Sequence, residues 1–125
     1  MNYYLVFAAA LAFVVEVAHS LLGERYILIR LFRHTNLPPL FGSDVFTKRT
    51  LRFVWHLMTV AGWGFAGLLA LYAFDQLNPL ARAALTVIAV TFLTSSLAAL
   101  VVSRGRHLSW VVLLTIAITT WYGAL

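Results

Sequence analysis

Glu16, His19 and Ser20 set a carboxylate, an imidazole and a hydroxyl within five residues of an otherwise apolar run. A charge in hydrocarbon costs a few kcal/mol or more, so ionisable groups kept there point to function or to a specific partner. At about 100° per residue, Ala9, Ala12, Glu16, His19 and Gly23 share one helical stripe. A second stripe in a later apolar run holds Arg49, Arg52, His56, Thr59 and Gly67. Three chemistries fit these residue types. Glu-x-x-His is a ligand spacing of helical metal sites, and His56 would complete a set for Zn, Fe or Mn. Two histidines on facing helices would equally hold haem b. Alternatively, a carboxylate beside an imidazole can pass protons, or the groups can close a structural network. Cu(I) is disfavoured, because the chain has no cysteine and Met58 is its one internal methionine.

Catalysis is not expected without a metal. Glu16, His19 and Ser20 share one helix, and nothing in the sequence places oxyanion donors opposite Ser20. A bound metal would change that by activating water.

The elements that must position these residues follow from composition. The chain of 125 residues is 62% apolar and only 10% charged, with a mean hydropathy of +0.91. Soluble domains carry about 25% charged residues. The class expected is therefore an all-α integral membrane protein, one domain over residues 1–125. Runs at about 3–22, 51–74, 80–102 and 108–124 are each long enough for a helix across about 30 Å of hydrocarbon. The residues after Gly23 remain helix-compatible as far as Arg33 and are expected to prolong the first helix, until Pro38-Pro39 stops it. Asp44 is expected to cap the second helix and Asp75 to sit in a turn. No cleaved signal peptide is expected, since Met1-Asn2-Tyr3-Tyr4 lacks a basic segment and Glu16 interrupts the apolar run.

The net charge of +5 has a topological reading. Arg25, Arg30, Arg33, Lys48, Arg49 and Arg52 flank the first connection, and Arg104 and Arg106 lie in the third. This is the positive-inside pattern, which places both termini outside and the basic connections inside, and it removes the case for nucleic acid. Tyr3, Tyr4, Tyr72, Trp121 and Tyr122 read as an outer aromatic belt, Trp55 and Trp110 as an inner one. A bacterial-type inner (plasma) membrane is the expected location.

His19 and His56 fall at similar depths near the inner side, with Glu16 about a turn deeper. The expectation is a polar chamber in the inner half of a four-helix bundle. It holds Glu16, His19, Ser20, His56 and Thr59, is roofed by Glu24 and Arg52, and takes further hydroxyls from Ser95, Ser96 and Thr115. His34 and His107 read as loop residues. Gly62 and Ala66, four apart, read as a close-packing surface within one bundle or between two copies.

A carboxylate in the first of four helices resembles the small multidrug-resistance transporters, and the resemblance covers Glu16 and the chain's overall size. It implies a homodimer that exchanges protons for drugs at Glu16. The long Pro38-Pro39 connection and the paired histidines depart from that pattern. The functions weighed are therefore metal or haem binding, an accessory subunit of a larger membrane complex, and a small proton-coupled transporter.

Overall fold

The structure is a computed structural model and describes residues 1–34 and 36–125. Helices dominate it. The first, α1, runs from Tyr3 to Leu31. Asn2 starts it, its side chain accepting from the Leu5 N–H. The same residue donates from Nδ2 to Gly123 O at 2.7 Å and from its backbone to Ala73 O at 2.7 Å, fastening the ends of three helices together. Beyond Gly23, α1 continues through a π turn at Glu24–Leu28, closed by the Ile29 N–H on Glu24 O, and a last α turn at Ile29–Leu31.

The second helix, α2, spans Val45–Ala73, beginning directly after Asp44 as expected and ahead of the apolar run that starts at Leu51. The turns ahead of Leu51 carry Lys48 and Arg49, which lower the hydropathy but are good helix formers. Asp44 occupies the N-cap position without capping through its side chain; its carboxylate pairs with Lys48 at 2.7 Å, one turn on. Thr47 Oγ1 donates to Pro38 O at 2.7 Å and ties the proline connection to α2.

Helix α3, Pro79–Ser103, starts with proline at its first position and Asn78 as cap. It ends at Arg104 (φ 52°) and Gly105 (φ 76°), two left-handed residues that reverse the chain. The last helix, α4, covers Ser109–Ala124 and has 16 residues, or about 24 Å of rise. Three helices are thus long and apolar enough to cross a membrane, and α4 is a shorter apolar one. Four helices are present as expected, but the fourth falls short of a full span by itself.

Neighbour order differs from chain order. Helix α1 packs between α2 and α4, while α3 lies along α4. Helices α2 and α3 meet sparsely, chiefly where the Phe65 and Phe92 rings touch edge to face at 5.9 Å. The buried core contains Leu5, Ala8, Ala12, Ala66, Leu69, Leu85, Ile88, Phe92 and Ile116. Alanine and glycine dominate the α1/α2 seam, where their small size lets backbones approach. Phe7, Phe13, Val14, Leu57, Val60, Val87 and Leu97 point outward and exposed. That inverted surface is what a lipid-facing helix requires, since acyl chains solvate apolar side chains and satisfy no polar ones.

Candidate functional site

Small residues decide how the α1/α2 seam is built. Gly62 on α2 lies directly under Glu16, and a β-carbon there would overlap Glu16 Cγ, Cδ and Oε1. Gly23 on α1 plays the mirrored part, and its missing β-carbon is replaced by the indole of Trp55. The two antiparallel helices are thereby fixed in register. Toward Gly23 from the Glu16–Gly62 contact, His19 and Thr59 come to the same level, since His19 follows Glu16 and Thr59 precedes Gly62 by three residues, about 4.5 Å.

Polar atoms on this seam fall into two groups. In the deeper group, His19 Nε2 and Thr59 Oγ1 are buried without a hydrogen-bond partner among the described residues. Thr59 is 3% exposed. Glu16 likewise enters no ion pair or side-chain hydrogen bond among the described residues; the chain's salt bridges use Asp44 and Glu24. The ring of His19 stacks on Trp55, centroids 4.6 Å apart and planes 5° from parallel, while Trp55 Nε1 donates to His19 O at 3.2 Å.

The inner group is fully bonded. Ser20 Oγ lies 2.8 Å from His56 Nδ1, and His56 Nε2 lies 3.1 Å from Glu24 Oε2. Arg52 grips the same carboxylate as a fork, NH2 to Oε1 at 2.8 Å and Nε to Oε2 at 3.2 Å. Its guanidinium also sits 5.0 Å from the centroid of the Phe32 ring. A carboxylate held by such a fork acts as acceptor, which assigns the donor role to His56 Nε2. Ser20, His56 and Glu24 thus form a hydrogen-bonded row leading toward the basic end of the helices.

The predicted layer is therefore assembled in part. Glu16, His19, Ser20, Glu24, Arg52, His56 and Thr59 all line the one seam. Ser95 and Thr115 do not join it. Ser95 donates to Thr91 O at 2.8 Å and Thr115 to Val111 O at 2.9 Å, each satisfied by its own helix one turn back. The hydroxyl that does cross between helices is that of Ser96, 2.7 Å from Trp110 O. Trp55, read from sequence as an inner-belt residue, packs into the seam against His19 and Gly23; no periodicity separates such a tryptophan from an interfacial one.

A metal centre at Glu16, His19 and His56 finds no preformed set of ligands. Among the described residues no group of three or more His, Asp or Glu side chains is placed to hold a metal ion. His56 spends both ring nitrogens on Ser20 and Glu24. Comparison of the chain with protein-family models, with curated proteins and with solved structures returns no match.

Proposed function

We propose that this chain is a small integral membrane protein whose α1/α2 seam exchanges a proton between Glu16, deep in the span, and the basic inner face. The observation that carries the reading is the contrast along the seam. Ser20, His56, Glu24 and Arg52 close their hydrogen bonds, whereas Glu16, His19 Nε2 and Thr59 Oγ1 retain unused capacity one turn deeper.

Each such orphan costs about 1–3 kcal/mol when desolvated, and two of the three buried ones among the described residues lie in this seam, the third being Thr120 Oγ1 on α4. Groups that hand a proton on need free donor and acceptor positions, and Glu–His rows are a recurrent form of proton relay in membranes. Positive-inside topology puts the Arg-rich ends of α1 and α2 in the cytoplasm of a bacterial-type cell, so the relay opens inward. In this reading Glu24 and Arg52 orient His56, and Glu16 is the exchanging group. Coupling to a transported solute is the use such a carboxylate would serve.

The test is proton uptake by protein in liposomes loaded with a pH-sensitive dye, alongside infrared spectra of the carboxyl C=O band as bulk pH is stepped. Glu16→Gln is expected to remove the pH-dependent carboxyl signal and the protein-dependent proton exchange, and His56→Ala to slow exchange about tenfold or more. Exchange in Glu16→Gln equal to that of the parent protein would overturn the proposal.

A further inference from the structure

The inner end of α1 carries charge that the chain does not neutralise. The sequence has four acidic residues, and each is placed. Glu24 is taken by Arg52 and His56, and Asp44 by Lys48. Glu16 lies against Gly62, and Asp75, in the connection at the opposite end, accepts from the Gln76 N–H. No carboxylate is left for Arg25, Arg30, Arg33 or Arg49, all of them exposed.

Two of these arginines are organised. The guanidiniums of Arg25 and Arg30 lie 5.6 and 5.5 Å from the centroid of the same Tyr26 ring. In an unbroken α-helix, residues five apart point about 140° away from each other. The π turn at Glu24–Leu28, with its wider i→i+5 bonding, swings them onto one side. Ile27 and Ile29, close by in sequence, are exposed apolar residues. Two guanidiniums gathered on one tyrosine ring offer planar forks of the kind that bind phosphate oxygens.

We propose that Arg25, Tyr26 and Arg30 bind the phosphate of an anionic phospholipid in the leaflet at this end of the helices. Ile27 and Ile29 favour a lipid over free phosphate, because only the lipid brings apolar chain to lie beside them. The π turn is the device that builds the site. The proposal needs only the membrane placement of α1 and is independent of proton exchange at Glu16.

The experiment is native mass spectrometry of the full chain released from mixed phosphatidylcholine and phosphatidylglycerol nanodiscs, counting the lipid that stays bound. The parent protein is expected to retain phosphatidylglycerol preferentially. Arg25→Gln with Arg30→Gln should lower that preference by roughly fivefold per arginine. Arg104→Gln with Arg106→Gln removes the same charge from the other basic connection and should leave the preference intact. Equal loss in both double variants would reduce the effect to bulk charge and overturn the site. Displacement of the lipid by inorganic phosphate at matched concentration would reassign the site to a free anion and overturn the lipid. Should the glutamine pair fail to fold, Arg25→Lys with Arg30→Lys keeps the charge and loses the forks. It is expected to weaken retention, and parent-like retention would refute the geometry.

Discussion

Along α3 and α4 most hydroxyls turn back on their own helices, although Thr120 Oγ1 is buried without a partner among the described residues. Thr86, Thr91, Thr94, Ser95, Thr115 and Thr119 each donate to the carbonyl four residues earlier, and Ser96 alone among these helices' serines and threonines bonds across the pair, to Trp110 O. Across α1 and α2 the opposite holds, with Ser20, Glu24, Arg52, Trp55 and His56 all bonding to the other helix. Both pairs are apolar and antiparallel. What separates them is that one pair keeps most of its polar atoms private while the other shares them between helices. A self-satisfied hydroxyl has an intrahelical alternative always at hand; an interhelical carboxylate or imidazole has none.

The sharpest way to break this comparison is through the glycines. Gly62→Ala and Gly23→Ala put a methyl group into Glu16 and into the Trp55 indole, respectively. Each is expected to cost about 1–3 kcal/mol, read as a shift in denaturant midpoint in detergent micelles. Gly64→Ala and Gly67→Ala meet nothing within 4 Å and should be neutral or stabilising by up to about 1 kcal/mol through helix propensity. If Gly62→Ala behaves like Gly67→Ala, the seam is looser than drawn.

A smaller effect is expected at the inner ion pair. Glu24→Gln removes the Arg52 fork from a partly exposed site, and a loss of about 1 kcal/mol follows for such a pair. Nitrogen NMR of His56 gives the finer reading. The parent protein should carry its proton on Nε2, and Glu24→Gln should mix the two neutral tautomers. An unchanged tautomer would show that Glu24 does not set it.

The smallest effects belong to α3 and α4. Ser96→Ala gives up a crossing bond and should cost about 0.6 kcal/mol, the average for interhelical hydrogen bonds in membranes. Thr94→Ala, Ser95→Ala and Thr115→Ala give up only bonds within a helix and should fall within about 0.5 kcal/mol of the parent. A larger loss at Ser95 than at Ser96 would reverse the contrast.

Much of this was legible in the residues themselves. Apolar run length marks the helices, and helical period puts Glu16, His19 and Gly23 on one stripe and His56, Thr59 and Arg52 on another. Helix ends needed signals other than run length, which stops at the first charges. The helix-compatible residues after Gly23 and the cap position at Asp44 anticipate an α1 that continues to Leu31 and an α2 that begins at Val45. The π turn within α1 has no signature in residue type, because its cause is a shift of bonding partner rather than a breaker such as proline.

By itself the sequence determined the class, the four apolar helices, the charge asymmetry of the connections and the faces that carry polar groups, since all of these depend on composition and local period. Tertiary structure alone decided which faces meet. It seats α1 between α2 and α4, puts Glu16 on Gly62 and Trp55 on Gly23, and joins His56 to Ser20 and Glu24 while leaving Ser95 and Thr115 to their own backbones. The physical reason is that period fixes a direction around one helix axis, while partners are chosen by how closely two axes can approach. That distance is set by where small residues on both helices coincide.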